Sequence, residues 1–179
     1  MRIIAGEFKG RRLRTPTWNG LRPTSDKLRE TLFNILAPRI AGATVLDVFA
    51  GTGAVGLESL SRGATRAVFI EQDRRAADLI RANVALCGVE NRCAIIRDGA
   101  ERALQRDRHD EMFDVIVLDP PYEFEPLGEV LEAAVGHLAP GGVLILEHAS
   151  RRPAPDISGG RRTRTVRSGD SHLTMIERV

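Results

Sequence analysis

The period of the apolar positions changes near residue 44. Before it, Leu28, Leu32, Ile35 and Leu36 fall at i, i+4, i+7 and i+8, one face of a helix. Thr24 or Ser25 can cap that helix, Asp26 sits in its first turn where the dipole favours an acid, and Pro38 ends it or lies just past its end. Upstream, residues 2–8 (RIIAGEF) and 11–15 (RRLRT) read as short strands about Lys9-Gly10, a hairpin followed by a Pro16 to Pro23 link.

From residue 44 the pattern alternates. The apolar runs 44–49, 67–71, 94–97, 114–119 and 143–148 read as buried strands, and helical stretches near 54–61, 74–87, 99–106 and 126–138 lie between them. Strand–helix alternation with continuous apolar strands means a parallel sheet covered on both faces. After Pro153 and Pro155, residues 163–167 and 172–177 flank Ser168-Gly169-Asp170-Ser171, a second hairpin that closes the sheet with antiparallel strands. The expected fold is one doubly wound α/β domain over 23–179, with residues 1–22 as a basic β-hairpin extension.

The chain's 179 residues, 42% of them hydrophobic, suffice for one domain with a complete core. No apolar run reaches the roughly 18 residues of a membrane span, and the N-terminus lacks the apolar stretch of a signal peptide. Cys87 and Cys93 form no C-x-x-C pair, and His109, His137, His148 and His172 show no ligand spacing. The expectation is a reduced, cytoplasmic, monomeric protein without a bound metal.

The net charge of +2 conceals a sharp division. Residues 1–30 hold eight Lys/Arg against three Asp/Glu, and residues 151–179 hold seven against three, so the middle of the chain sums to −7. Basic ends around an acidic centre suggest a polyanion gripped from the flanks and a different ligand bound in the middle.

Gly51-Thr52-Gly53-Ala54-Val55-Gly56 follows a strand and opens a helix, and Glu71 comes 20 residues after Gly51. By spacing alone this is a dinucleotide fingerprint with its ribose-binding acid. Asp47, inside the strand, argues for another ligand. It would repel a pyrophosphate by roughly 4 kcal/mol for unit charges about 4 Å apart at an effective dielectric of about 20. S-adenosylmethionine carries an ammonium and a sulfonium and no phosphate, which suits an acidic cleft. In that reading the glycines admit the ligand close to the backbone, Glu71 accepts from the ribose hydroxyls, and Asp98-Gly99 lies by the adenine amine. Asp98 can also serve as a helix cap.

The fourth core strand runs into Asp119-Pro120-Pro121-Tyr122. Two prolines remove two N–H donors and fix φ twice, giving a rigid loop. The Asp119 carboxylate and the Pro120 carbonyl can both accept from one NH2 group, and Tyr122 offers a base a face worth roughly 1–3 kcal/mol of stacking. A nucleobase amine is a poor nucleophile because its lone pair is delocalised. Two acceptors on its hydrogens favour the localised lone pair and steady the developing positive charge. Attack on a sulfonium methyl then needs mostly positioning.

LDVFAGTGAVGLESLSRGA, IEQD and DPPY resemble the Rossmann-like methyltransferases that use S-adenosylmethionine. RIIAGEFKGRRL, RPTSDKLRETLFNIL and RSGDSHLTMIE narrow the resemblance to the RsmD-type family, bacterial 16S rRNA guanine-N2 methyltransferases, over nearly the whole chain. The resemblance implies a mostly parallel seven-stranded sheet, and a methyl donor held by Thr24, Asp47, Ala50, Gly51, Gly53, Glu71, Gln72, Asp98 and Gly99. Arg22-Pro23-Thr24 would cover its methionine end. The target base would sit at Asp119, Pro120, Pro121 and Tyr122, and Lys9, Arg11, Arg12 and Arg14 would grip 16S rRNA in the small subunit or an assembly intermediate. Tyr122 stands where many relatives have Phe, and Gln72 where many have an apolar residue. The residues themselves leave open an adenine-N6 or cytosine-N4 methyltransferase, a dinucleotide-dependent oxidoreductase and a non-catalytic RNA-binding assembly factor.

Overall fold

The computed structural model describes residues 1–18, 25–106 and 111–179. Its sheet has seven strands in the order β3-β2-β1-β4-β5-β7-β6. These are β1 (Thr44–Val48), β2 (Arg66–Ile70), β3 (Cys93–Ile96), β4 (Phe113–Leu118), β5 (Leu138–Ala149), β6 (Gly160–Ser168) and β7 (Ser171–Arg178). The first five run parallel; β7 pairs antiparallel with both β5 and β6. The fold is the expected doubly wound α/β sheet, and the C-terminal hairpin inserts its second strand, not its first, beside the parallel block.

Among the described residues five α-helices cover it: α1 (Asp26–Leu36), α2 (Ala54–Ser61), α3 (Arg74–Cys87), α4 (Ala100–Arg106) and α5 (Leu127–Gly136). The Ser25 side chain accepts the Leu28 N–H and so caps α1, while Asp73 caps α3 through the N–H groups of Arg75 and Ala76. Apolar side chains alternate between two cores. Val45, Phe69, Val117 and Ile145 pack on the side of α1, α2 and α3. Leu46, Ile70, Leu118 and Leu146 pack on the side of α4 and α5. That alternation also decides which way the residue after each strand points.

The N-terminal segment corrects the expected hairpin. Its pairing shrinks to one bridge, Arg2 with Arg12, flanked by bonds between residues 1–3 and 10–13. Residues 5–10 are turns and bends, with Gly6 and Gly10 both at φ +83°. Backbone donors of the first expected strand go instead to α2: the N–H groups of Ile4 and Ala5 to the Glu58 carboxylate at 2.7 and 2.9 Å, and that of Phe8 to Ser61 Oγ at 2.9 Å. Ile3, Phe8 and Leu13 are buried, so the segment is part of the domain's core rather than an appendage.

Glu58 is itself fully buried, as is Arg29 of α1. Arg29 donates to the Arg2 carbonyl at 2.9 Å and to Asp26 at 2.6 Å, and its Nη1 stands 3.9 Å from Glu58. Arg62 closes the group at 2.7 Å. The periodicity of the sequence places both charges on helices; the tertiary contacts bury them.

Candidate methyl-donor and target-base cavity

At the carboxyl ends of β1, β2 and β4, where ligands of open α/β sheets bind, lies a cavity of about 730 Å³. Its floor is the glycine loop. Gly51 and Gly53 take positive φ of 56° and 75°, which a side chain disfavours. A Cβ on Gly56 would lie 2.3 Å from the Phe69 ring, so this glycine lets α2 close on β2. Phe49, preceding the loop, also has positive φ, 64°, and sets its ring edge-on to Phe124 at 4.9 Å. One strained residue thus joins the glycine loop to the loop after β4.

Three acids surround the loop, each with a different task. Asp47 is 3% exposed and accepts the Gly56 N–H at 3.0 Å. Burial raises its pKa well above the ordinary carboxylate value, the nearby charges of Asp119 and Glu71 raise it further, and the Gly56 N–H offsets part of this. Glu71 accepts from Gly51 N–H at 2.9 Å and Asp73 N–H at 2.8 Å, bracing the first and second strand ends together. Asp98 accepts from Gly99 N–H at 2.8 Å and from Arg102 at 2.7 Å, with Arg106 at 3.2 Å. The Arg102 hydrogen bond leads in holding its pKa below the ordinary value, followed by the Gly99 N–H. Gly99, not Asp98, stands at the N-cap position of α4, so the helix-cap alternative for Asp98 is not realised; its carboxylate lines the cavity and pairs with Arg102 and Arg106.

The Asp-Pro-Pro-Tyr loop forms the opposite wall. Asp119, Pro120, Pro121 and Tyr122 all line the cavity; Pro120 is buried and the Tyr122 side chain is exposed. The Pro121 carbonyl accepts the Phe124 N–H at 2.9 Å and turns the chain back. Arg152 holds the loop from outside, donating to the Tyr122 carbonyl at 2.8 Å and pairing with Glu125. The Tyr122 hydroxyl stands 3.4 Å from Ser171 Oγ, which donates to Glu147 at 3.0 Å.

Of the residues expected to hold a donor, Asp47, Ala50, Gly51, Glu71, Gln72, Asp98 and Gly99 line the cavity. Gly53 acts one layer beneath, as the N-cap of α2. Thr24, with Arg22 and Pro23, lies outside the described residues. Lys9, Arg11, Arg12 and Arg14 are exposed and lie away from the cavity lining. Arg11 is partly occupied, donating to the Leu86 carbonyl at 2.8 Å and lying over the Phe8 ring. The backbone of Arg14 is clamped on both sides by Asn83, at 2.8 and 3.1 Å. Sequence reasoning missed Trp18, Glu147 and the Ser168 to Ser171 turn, all of which line the cavity. Trp18 carries a weak signal as the chain's only tryptophan; the others become visible only when β7 lies beside β5.

A family model described as Conserved hypothetical protein 95 matches residues 1–177. The ribosomal RNA small subunit methyltransferase D of Escherichia coli K12 is 36% identical over 88% of this chain and 79% of its own. That of Haemophilus influenzae is 35% identical over 86% and 81%. The chain belongs to this methyltransferase family.

Solved structures agree. The Escherichia coli protein yhhF superposes with a TM-score of 0.88 at 31% identity, covering 99% of this chain and 97% of that one. A protein from a Thermus species gives 0.82 at 32% identity, covering 99% of both. The family depends on S-adenosylmethionine, and the cavity of this methyltransferase fits that group. Its described lining carries eight Asp and Glu residues against two cations, Lys27 and Arg75. Such a wall accepts an ammonium and ribose hydroxyls and offers a pyrophosphate little. Cys87 and Cys93 are packing residues: burial raises both thiols, Cys93 to about 12, far from the thiolate a nucleophile needs. Among the described residues, no helix is long and apolar enough to cross a membrane.

Proposed function

We propose that the protein methylates the exocyclic N2 amine of a guanine in 16S rRNA, within the small ribosomal subunit or an assembly intermediate, in the cytoplasm. The observation that carries the reading is one cavity with two halves. The acids of β1 and β2 and the Asp98 end of β3 form one half, and the Asp-Pro-Pro-Tyr loop at the end of β4 forms the other.

Bound in the first half, S-adenosylmethionine supplies an electrophilic methyl group on its sulfonium. Glu71 and the glycine loop place the ribose, and Asp47 receives the cationic end. In the second half, the Asp119 carboxylate and Pro120 carbonyl accept from the target amine, turning its lone pair out of conjugation and steadying the charge that forms on nitrogen. Asp119 is the acceptor for the proton released. Tyr122 stacks on the base, and Arg152 keeps the loop from yielding as the base enters. The exposed Lys9, Arg11, Arg12 and Arg14 meet RNA phosphates, and the names of the Escherichia coli and Haemophilus influenzae relatives support a small-subunit substrate.

The test uses small subunits from cells lacking this activity. They are incubated with the protein and labelled S-adenosylmethionine, and the RNA is digested to nucleosides. Labelled N2-methylguanosine is the expected product. Labelled N6-methyladenosine, or turnover only on DNA, would replace the proposed substrate.

A further inference from the structure

We infer that Glu147 is the residue that makes the site select guanine, by accepting the N1–H beside the target amine. The inference rests on the proposed reading of the cavity as an amino-methyltransferase site.

The placement follows from register. Leu118 of β4 pairs with Leu146 of β5, so Asp119 and Glu147 are the next positions on neighbouring parallel strands. Two residues earlier, Val117 and Ile145 both point into the core on the α1–α3 side. With a period of two, Asp119 and Glu147 point to that same side, on strands about 4.8 Å apart. Both line the cavity, and Glu147 is only 7% exposed. Ser171, from the start of β7, donates to Glu147 Oε1 at 3.0 Å and fixes the carboxylate's orientation, with the Tyr122 hydroxyl 3.4 Å beyond. Glu147 thus stands on the side of Asp119 away from the methyl-donor half, where the ring of a bound base must lie.

The chemistry of the three bases then decides. In guanine one of the two ring nitrogens flanking the C2 amine, N1, carries a hydrogen and donates. In adenine and cytosine the ring nitrogen beside the exocyclic amine is a bare acceptor. Once Asp119 holds an amine, a carboxylate at Glu147 accepts from guanine N1–H and faces a lone pair in the other two. A buried site built to hydrogen-bond one group rejects an analogue lacking it by as much as about 10⁴-fold. The Asp-Pro-Pro-Tyr loop, which grips any exocyclic amine, gives no such discrimination.

The test compares guanine with 2-aminopurine, which keeps the 2-amine but has an unprotonated N1. Each is placed, in reconstituted small subunits, at the nucleotide the wild-type protein labels. Wild type should prefer guanine by about 10²-fold or more in kcat/KM. Glu147→Gln should lower guanine turnover while narrowing that ratio, because its amide can donate to the bare N1. Glu147→Asp should keep the preference at reduced kcat/KM. Affinity for S-adenosylmethionine, measured by titration, should hold in both variants and certifies the fold. If Glu147→Gln loses both substrates equally, or keeps the wild-type ratio, Glu147 only braces β7 and the inference fails while guanine methylation stands. If the wild-type protein labels the amine of adenine or cytosine, the amine chemistry stands but guanine is not the substrate, and this inference falls with that part of the proposed function.

Discussion

The Asp47 carboxylate accepts the backbone N–H of Gly56 at 3.0 Å, tying the end of β1 to the first turn of α2 across the glycine loop. The bond holds the loop's shape, and it leaves a buried acid whose pKa is raised above its ordinary value. Between the unfolded carboxylate's value of about 3.9 and the raised folded value, the folded chain keeps a proton that the unfolded chain has lost. Asp47 therefore costs stability as pH rises through that window. Asp47→Asn is expected to raise the melting temperature of the ligand-free protein at neutral pH and to flatten this loss, as thermal unfolding across pH will read. A cationic ligand favours the ionised form. Wild-type affinity for S-adenosylmethionine should thus strengthen as pH rises through the same window, with proton release detectable by calorimetry in two buffers. The Asn variant should bind more weakly and without that pH dependence.

Asp119→Ala should lower turnover by about 10²–10³-fold, the loss typical for one group that stabilises developing charge. Affinity for the methyl donor should stay, because the donor's acids lie on other strands. Single-turnover rates together with donor titration check this, and unchanged turnover would move the amine to another acceptor.

Glu58 binds the N-terminal segment through the Ile4 and Ala5 N–H groups and meets Arg29 and Arg62. Removing it strips the Ile4 and Ala5 N–H groups of their acceptor and leaves the buried Arg29 with Asp26 as its remaining counter-charge, so Glu58→Ala should destabilise the fold by about 3–5 kcal/mol. The first 13 residues should become open to proteolysis before the rest unfolds. Denaturant titration and limited digestion read the two effects separately.

The basic N-terminal residues divide by structure. Arg12 is exposed, whereas Arg11 also holds the Leu86 carbonyl and covers Phe8. Arg12→Gln should reduce the salt dependence of RNA binding by about 0.7–0.9 in log–log slope and leave the melting temperature alone. Arg11→Gln should do the same and also lower stability by about 0.5–1.5 kcal/mol through the lost hydrogen bond. Filter binding over a salt series and thermal unfolding distinguish them.

Gly56→Ala would set a Cβ 2.3 Å from the Phe69 ring, in rigid surroundings. A loss of about 1–3 kcal/mol is expected from overpacking, together with weaker donor binding as α2 tilts away from the loop. Equal stability to wild type would show that Phe69 can move.

Local pattern alone determined most of the architecture. Apolar runs of strand length separated by helical periods placed β1 to β5 and α1 to α5 to within a residue or two at nearly every boundary, because a side chain's period reports whether its own backbone is extended or helical. The motif acids Asp47, Glu71, Asp98 and Asp119 were legible for the same reason: each follows or ends an apolar run, and parallel strands carry their ligands at that end. The hairpin at residues 2–15 was misread because its strand-like composition serves burial of Ile3, Phe8 and Leu13, while its backbone donors are taken by Glu58 and Ser61 far along the chain. Only the tertiary structure decided that Arg29 and Glu58 are buried, that Arg152 clamps the Tyr122 loop, and that Glu147 and Ser171 line the cavity beside Asp119. Those facts depend on strand order, above all on β7 lying between β5 and β6. Strand order is set by which surfaces bury best together across 20 to 50 residues of intervening chain, and no period along the sequence records it.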